Sequence, residues 1–317
     1  MTTVFIINPK AGQGKDVSRL ADKVRDTARN LDAAAEIYFT EGVGDATEYV
    51  KNYCETRGGA RFIACGGDGT LSEVLNGAIG CADAEIGVIP MGTGNDFCRN
   101  FGTDAEFLDI GAQILGKAER CDAIKYTTWV DGEIRSGYCM NMVNVGFDCN
   151  VADMTAEMKK KAFVSGSMAY FLSILVNLVK KKGINAQIEI DGELVRSGHI
   201  LLTSIANGSY CGGGIKSNPT ASVKDGLMDI NIIKNVSRLK FISLLPHYMK
   251  GDFPELKNIE KVISTVKGEK MAIVPCEDKI RICVDGEIID AGKTEFEIVH
   301  NAIDFVVPAK VPEVLKC

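Results

Sequence analysis

A glycine-rich hexapeptide, Cys65-Gly66-Gly67-Asp68-Gly69-Thr70, constrains this chain more than any other feature. It lies between an apolar run, residues 62–64, and an amphipathic run, residues 71–79, which predicts a strand, a tight turn and a helix start. Glycines tolerate positive φ and carry no Cβ to hold a ligand away from the backbone, and free amides at a helix N-terminus suit a phosphate. Asp68 would repel that phosphate, so it needs a cation, and Mg²⁺ carried by a nucleotide is the usual one. An isolated Gly-Asp-Gly is more often a plain turn, so the rest of the chain decides.

Composition is that of a soluble globular protein and limits the partners. The 317 residues are 46% hydrophobic and 25% charged, and this length favours two domains. A net charge of −6 argues against a nucleic-acid binder, which needs a basic surface. The eleven cysteines form no CxxC pair and follow no signal peptide, so we expect free, mostly buried thiols in a reducing cytosol. The three histidines are too scattered for a zinc site.

Residues 1–122 alternate strand and helix signals, which predicts a doubly wound, mostly parallel sheet with helices on both faces. The predicted strands are 4–7, 35–40, 61–65 and 86–89, and the predicted helices are 16–30, 45–56 and 71–79. Ligands bind such sheets at the carboxyl ends of the strands. Three loops, 8–15, 66–70 and 90–96, are therefore expected to gather at one edge.

The pattern changes at residue 123. Short β-type runs separated by turns continue to residue 300 and predict an antiparallel β-sandwich with inserted helices. A C-terminal strand and tail follow at 301–317. Three Asp-Gly-Glu tripeptides, which begin at Asp131, Asp191 and Asp285, interrupt these runs, and Asp-Gly is a strong signal for a hairpin.

One apolar segment, residues 162–179, carries three lysines before it and three after it, at 159–161 and 180–182. Its length and its small and polar side chains make it marginal for a membrane span, and we expect a buried or cleft-lining helix. The alternative is contact with an anionic lipid surface, which the lysines would favour.

The third loop, residues 90–99, repeats the chemistry of the hexapeptide. Gly92 and Gly94 permit close backbone approach, Thr93 and Asn95 can donate hydrogen bonds to phosphate or ribose, and Asp96 supplies a second carboxylate. A phosphate-bearing ligand with Mg²⁺ is the inference. The chain has no G-x-x-x-x-G-K-[ST] motif and no G-x-G-x-x-G motif opening its first helix, which argues against a P-loop NTPase and against dinucleotide redox chemistry.

Five sequence blocks, in order, resemble those of a known family. Asn8-Pro9 with Ala11-Gly12, then Gly66–Thr70, then Pro90–Phe97 resemble the signature blocks of the diacylglycerol kinase catalytic domain. Residues 207–214 and 224–229 resemble second-domain blocks of the bacterial soluble lipid kinases in that family. Sphingosine kinases are more distant relatives, and NAD kinases share the Gly-Gly-Asp-Gly-Thr block.

The resemblance implies an ATP- and Mg²⁺-dependent lipid kinase with an NAD-kinase-like nucleotide domain, a β-sandwich acceptor domain and a cleft between them. It implies ATP contacts from nine residues: Asn8, Gly66, Gly67, Gly69, Thr70, Gly92, Thr93, Gly94 and Asn95. It also implies a catalytic charged network of Lys15, Asp68, Asp96 and Asp122, with Asp68 facing Mg²⁺.

The family's acceptor-activating aspartate corresponds to Asp285, with Glu287 close by; Asp131 and Asp191 are expected to form hairpins only. In the sphingosine kinase branch the base is instead the aspartate that corresponds to Asp68, and we favour Asp285. The resemblance further implies a structural Mg²⁺ held by Asp225 and the backbone carbonyl of Leu227. Lys224 stands where the family often has a second acid, and a lysine repels a metal, so this site is expected to be weakened or absent.

The resulting interpretation is a cytoplasmic lipid kinase in peripheral contact with the inner membrane surface. Diacylglycerol is the leading acceptor; ceramide or another sphingoid lipid, phosphatidylglycerol and undecaprenyl-type alcohols remain open, as does a homodimer. The acceptor is expected near residues 162–179, with residues 241–253 either a flap or an ordinary packed helix and loop. The rival functions are an NAD kinase and a non-catalytic regulator that senses nucleotide or lipid.

Overall fold

The structure is a computed structural model that describes residues 1–14, 17–146 and 183–309. It divides into two compact units, Met1–Cys121 with Asn301–Cys317, and Asp122–His300. The boundary between them falls within two strands, β5 (Lys117–Val130) and β15 (Lys293–Val307). Lys15 and the apolar segment 162–179, together with its flanking lysines, lie outside the described residues.

The first unit is built on parallel strands. Its strands run in the order β2-β1-β3-β4, with β1 (Thr3–Ile7), β2 (Ala35–Phe39), β3 (Arg61–Gly66) and β4 (Glu85–Pro90). The end of β15 adds a further parallel strand beside β4, where Phe305 pairs with Ile86. Every residue of β1 is buried. A strand in a parallel sheet is covered on both faces, which explains the apolar run Val4–Ile7.

In the described residues of this unit, five α-helices accompany the sheet: α1 (Val17–Asn30), α2 (Asp45–Arg57), α3 (Asp68–Ala78), α4 (Asp104–Phe107) and α5 (Ile110–Leu115). Helix α1 buries Ala21, Val24 and Ala28 at helical spacing, and Val24 packs with Phe5 and Ile63 in the core. Helix α3 begins at Asp68, three residues before the start predicted from hydrophobic periodicity, because the Asp-Gly-Thr segment already forms its first turn. Helices α4 and α5 were not predicted.

The second unit is antiparallel. Its strands are β6 (Glu133–Cys139), β7 (Met142–Gly146), β8 (Ile184–Ile190), β9 (Glu193–Ala206), β10 (Met228–Lys234), β11 (Ile263–Gly268), β12 (Lys270–Pro275), β13 (Ile280–Val284) and β14 (Glu287–Ala291), together with most of β5 and β15. The order is β14-β13-β7-β9-β8-β12-β15, while β10 pairs with β9 and β11, and β5 pairs with β6 and β15. Alternate residues of β8, such as Ile188 and Ile190, face the core. The predicted class, a parallel α/β unit followed by an antiparallel β unit, is confirmed.

One helix of the second unit, α6 (Arg238–Lys250), is followed by two short 3-10 turns, Phe253–Glu255 and Ile259–Lys261. Leu244 of α6 and Phe253 belong to one buried cluster. This packing agrees with the packed helix and loop, one of the two alternatives for residues 241–253, while a role as a flap stays a prediction. Among the described residues, no helix has both the length and the hydrophobicity to cross a bilayer.

The cysteines depart from expectation. Cys54 on α2 and Cys81, just after α3, form a disulfide, so the prediction of free thiols is wrong for this pair. Helices α2 and α3 pack against each other, which brings together two residues whose spacing in sequence carries no pairing signal. Among the other cysteines that the structure describes, Cys65, Cys98, Cys121, Cys139 and Cys283 are buried, whereas Cys276 is exposed.

Candidate active site

The three loops that follow β1, β3 and β4 are tied together by hydrogen bonds at one edge of the first-unit sheet. Asn8 donates through Nδ2 to Thr70 Oγ1 at 3.2 Å, and the Met91 amide donates to the Gly66 carbonyl at 2.8 Å. Parallel strands order their loops at a common edge, and these bonds then fix the loops to one another. The three loops are thus joined in series, the first to the second and the second to the third.

The glycines of these loops are required by the way the loops pack. A Cβ on Gly92 would lie 2.5 Å from the Gly67 Cα, and one on Gly94 would lie 2.5 Å from the Asp68 carboxylate. A Cβ on Gly66 would overlap the Thr70 side chain. Close approach between loops therefore explains these glycines before any ligand is considered, while Gly92 and Thr93 remain exposed.

Asp68 clamps the third loop to the first turn of α3. Its Oδ2 accepts from the Asn95 amide and its Oδ1 from the Asp96 amide, each at 2.8 Å. A carboxylate has about four acceptor sites, and carboxylate oxygens are ligands that Mg²⁺ accepts in proteins. The donor set is thus compatible with Mg²⁺ brought by a nucleotide. Arg99, which sequence reasoning missed, lies 3.8 Å from the buried Asp96.

The Asn95 side chain forms hydrogen bonds within its own loop. Its backbone is left-handed, with φ of 52°, and its side chain bonds Gly92 twice, accepting from the amide at 3.0 Å and donating to the carbonyl at 3.1 Å. The side chain closes the loop on itself. A contact between Asn95 and ATP remains a prediction that the described geometry does not support directly.

Asp122 lies fully buried in the second unit. Its Oδ2 accepts from the Gly226 amide at 2.8 Å, and its Oδ1 lies 2.8 Å from His300 Nδ1. The pairing with His300 had no sequence signal, because the two residues are 178 positions apart. Asp68 and Asp96 belong to the first unit and Lys15 is outside the described residues, so the four-residue charged network stays a prediction.

Burial singles out Asp285 among the three Asp-Gly-Glu turns. Asp131, Asp191 and Asp285 all begin two-residue hairpins with φ between 46° and 53°, as the Asp-Gly signal predicts. Asp131 and Asp191 are exposed, whereas Asp285 is 9% exposed. One turn type therefore produces two surface hairpins and one buried carboxylate.

Four donors surround the Asp285 carboxylate. Oδ1 accepts from Cys139 Sγ at 3.1 Å, the Asn141 amide at 3.0 Å and the Met142 amide at 3.1 Å, while Oδ2 accepts from the Met140 amide at 2.7 Å. Burial raises the pKa of this carboxyl above its ordinary value, and these hydrogen bonds oppose the rise. Burial likewise raises the pKa of the Cys139 thiol well above its usual value, which keeps the thiol protonated as a donor.

Glu287 and Tyr126 are two further titratable groups near Asp285 in the part of the chain that the structure describes. Glu287 is exposed and opens β14, two residues after Asp285. Burial raises the pKa of Tyr126, and the negative charges of Asp285 and Glu287 add to that rise. A neutral phenol and a neutral thiol therefore accompany the carboxylate at neutral pH. Cys139, Asn141 and Tyr126 were not predicted, since their proximity to Asp285 depends on strand pairing.

The implied structural Mg²⁺ site around Asp225 does not fit a metal in this chain. Lys267 Nζ lies 2.7 Å from Asp225 Oδ2 and 3.0 Å from the Thr220 carbonyl. Asp225 Oδ1 accepts from the Leu227 amide at 3.2 Å. An ammonium thus stands among the oxygens that a cation would bind. The described residues contain no group of three or more histidine, cysteine or acidic side chains arranged to hold a metal.

Two family models match the chain. Diacylglycerol kinase catalytic domain matches residues 2–126, and YegS C-terminal NAD kinase beta sandwich-like domain matches residues 141–307. The chain is 29% identical over 315 residues to Diacylglycerol kinase of Bacillus subtilis (strain 168). It is 28% identical over 314 residues to Probable lipid kinase YegS-like of Yersinia pestis (strain Pestoides F). Each match covers 98% of both proteins.

Solved structures show the same fold. The crystal structure of a diacylglycerol kinase from Bacillus anthracis str. Sterne has a TM-score of 0.70 at 20% identity and covers 98% of both chains. An NAD kinase from Archaeoglobus fulgidus in complex with ATP has a TM-score of 0.51 at 13% identity, with coverage of 98% and 95%. At these identities the likeness concerns the fold, and it agrees with the NAD-kinase-like architecture described above.

Proposed function

This chain is a lipid kinase of the family that joins a diacylglycerol kinase catalytic domain to a YegS C-terminal NAD kinase β-sandwich-like domain, and on that premise we propose that it phosphorylates diacylglycerol with ATP. The bond between the γ-phosphorus and the β,γ-bridging oxygen breaks, and the acceptor oxygen bonds to the γ-phosphorus. The products are phosphatidic acid and ADP, and the hydroxyl proton passes to a carboxylate base.

The observation that carries this proposal is the set of tied loops at the edge of the first-unit sheet. The N-terminus of α3, at Gly67 to Gly69, offers backbone amides and the positive end of a helix dipole to the phosphates of ATP. The exposed Thr93 hydroxyl lies on the neighbouring loop. Asn8 contributes by holding Thr70 in place. Phosphoryl transfer depends mainly on positioning and on charge stabilisation, which a rigid amide surface supplies.

Mg²⁺ would be held by Asp68, whose carboxylate is already oriented by two amides. When bound, it supplies charge neutralisation for the phosphates during transfer. The residues of this chain orient the nucleotide and keep the third loop against α3.

Asp285 is the proposed base. Its Oδ1 accepts three hydrogen bonds and its Oδ2 accepts one, so Oδ2 retains an acceptor site for the substrate hydroxyl. A pKa raised by burial makes this carboxylate a stronger base than an exposed one. Asp68 is the alternative base.

The proposed acceptor resides in a membrane, so the enzyme would work from the cytoplasm in peripheral contact with the inner membrane surface. Ceramide and phosphatidylglycerol offer a hydroxyl in a similar setting, and they are the alternative acceptors. An NAD kinase shares the fold and the Gly-Gly-Asp-Gly-Thr block, and a non-catalytic regulator would retain the nucleotide surface alone.

The test is transfer of labelled phosphate from ATP to a panel of acceptors in mixed micelles, with NAD assayed in parallel. We expect diacylglycerol to be phosphorylated with Mg²⁺ present, and Asp68→Ala to abolish transfer. Preferred labelling of another lipid would overturn the acceptor assignment, and labelling of NAD would overturn the lipid kinase function. ATP binding without transfer to any acceptor would favour the regulator.

A further inference from the structure

Helix α6 is apolar on two opposite sides, and packing explains one of them. Its inner side, made of Phe241, Leu244, Leu245 and Tyr248, joins a cluster with Phe253 and Ile263. A helix that lies on a core needs one apolar side, with polar residues on the other. The second apolar side is therefore the feature to explain.

The outer side of α6 carries a stripe of exposed apolar residues, Leu239, Ile242 and Pro246, which we call the α6 outer stripe. Leu239 is 82% exposed and Ile242 is 48% exposed, and Pro246 is exposed as well. At about 100° per residue, the three lie within about 60° of one another around the helix. Exposed aliphatic residues that occur singly need no explanation, but an aligned stripe on one helix does.

The charged side chains that α6 itself carries are all basic. Residues 230–251 contain no Asp or Glu, although the whole chain has a net charge of −6. Lys234, Arg238, Lys240 and Lys250 supply the positive charge, and the last three of these are exposed. By helical geometry, Arg238 and Lys240 lie on either side of the stripe, each about 100° from Leu239. The charge of this surface is thus opposite to that of the chain as a whole.

Helix stability does not account for these cations. Arg238 and Lys240 occupy the first turn of α6, which has no acidic residue. The positive end of the helix dipole disfavours cations there. The Ser237 side chain caps the helix by accepting from the Lys240 amide, so the turn is complete without them. Lys240 therefore adds positive charge at the N-terminus of the helix without stabilising the helix.

We propose that the α6 outer stripe docks the protein on an anionic phospholipid surface, with Leu239 and Ile242 entering the headgroup region and the flanking cations meeting lipid phosphates. A basic helix with an apolar exposed side has the chemistry of an interfacial helix. The inner side keeps the helix attached to the body of the second unit. The biological meaning of this surface rests on the proposed function, which places the acceptor in a membrane.

The test is co-sedimentation of the full chain with vesicles of phosphatidylcholine, with and without 30% phosphatidylglycerol. We expect binding that requires the anionic lipid and weakens with added salt. Leu239→Ser with Ile242→Ser should weaken binding at least tenfold, and Arg238→Gln or Lys240→Gln about fivefold each. The matched control is Ile134→Ser with Leu194→Ser, another pair of exposed aliphatic residues in the second unit, which should bind as the parent does.

Three outcomes would overturn the docking surface. The first is vesicle binding by the Leu239→Ser/Ile242→Ser variant that equals binding by the parent, and the second is parent binding to neutral vesicles that equals its binding to anionic ones. The third is a parent that does not bind vesicles, together with a variant whose oligomeric state differs from that of the parent. This third outcome would assign the stripe to a contact between proteins. Transfer to a water-soluble short-chain diacylglycerol separates this proposal from the proposed function. The stripe variant should retain that transfer and lose transfer to vesicle-borne diacylglycerol. Vesicle binding as expected with no transfer by the parent would refute the kinase reaction and leave the docking surface standing.

Discussion

Asp285 shares its turn geometry with Asp131 and Asp191 but has different surroundings. The neighbouring segment, residues 139–142, wraps its carboxylate with one thiol and three amides, while the other two aspartates face solvent. Burial favours the protonated carboxyl and the donors favour the ionised one. Burial has the larger effect, so the pKa of Asp285 is raised. The hydrogen bond from Cys139 limits this rise, which makes Cys139 a positioning residue for the Asp285 carboxylate.

Cys139 gives a test of this balance. Cys139→Ala removes one donor to the ionised carboxylate, so the pKa of Asp285 should rise further. The acidic limb of the pH profile of kcat/KM should then move to higher pH, because the base must be ionised. Cys139→Ser keeps a donor and should leave the limb close to that of the parent. A purely structural role would instead lower stability in both variants without moving the limb.

At the scale of elements, the first-unit loops depend on backbone contact. Gly92→Ala places a methyl group 2.5 Å from the Gly67 Cα, which forces the second and third loops apart. We expect a loss of about 1–3 kcal/mol in the free energy of unfolding and weaker ATP binding, measured by denaturation and calorimetry. Gly42→Ala is the control, since nothing lies within 4 Å of its Cβ position. Equal ATP affinity in both variants would show that this contact does not shape the nucleotide surface.

Asp225 and Lys267 lead to a prediction about metals. The parent's melting temperature should not respond to Mg²⁺ or EDTA without nucleotide, because Lys267 already supplies the cation. Lys267→Ala should lower the free energy of unfolding by about 1 kcal/mol. In this variant the melting temperature should rise when Mg²⁺ is added. The control is Lys279→Ala, which removes an ammonium group that pairs with Asp131 and Asp290, both more exposed than Asp225. This variant should keep the parent's free energy of unfolding, and its melting temperature should not respond to Mg²⁺. A saturable rise in the parent that Asp225→Asn abolishes would restore the metal site.

Elements were more predictable than contacts. The period of apolar residues predicted the parallel strands and their common edge, and Asp-Gly predicted three hairpins, because both signals are local. The pairs Asp122–His300, Asp225–Lys267 and Cys54–Cys81 join residues 178, 42 and 27 positions apart. Such pairs depend on how elements pack, and no local pattern encodes them. The sequence predicted that the glycines allow close approach to the backbone. The structure shows that the partner in this approach is another loop.

At the scale of the molecule, the two units divide the proposed reaction. The first supplies amides and carboxylates suited to a nucleotide, and the second supplies the buried carboxylate and a basic, apolar helix. An acidic chain that approaches an anionic membrane needs a local reversal of charge, and residues 230–251 provide one. For the two units to divide the reaction in this way, Asp285 in the second unit must act on an acceptor brought by a lipid surface.

Single-turnover transfer from labelled ATP to diacylglycerol by Asp285→Asn and Asp131→Asn tests this account most directly. The two substitutions are chemically identical and fall in the same type of turn, but only Asp285 is buried among donors. We predict that Asp285→Asn binds ATP as the parent does and loses transfer by about 10²–10⁴-fold, while Asp131→Asn transfers normally. Transfer near the parent's rate by a folded Asp285→Asn protein would contradict the assignment of the base.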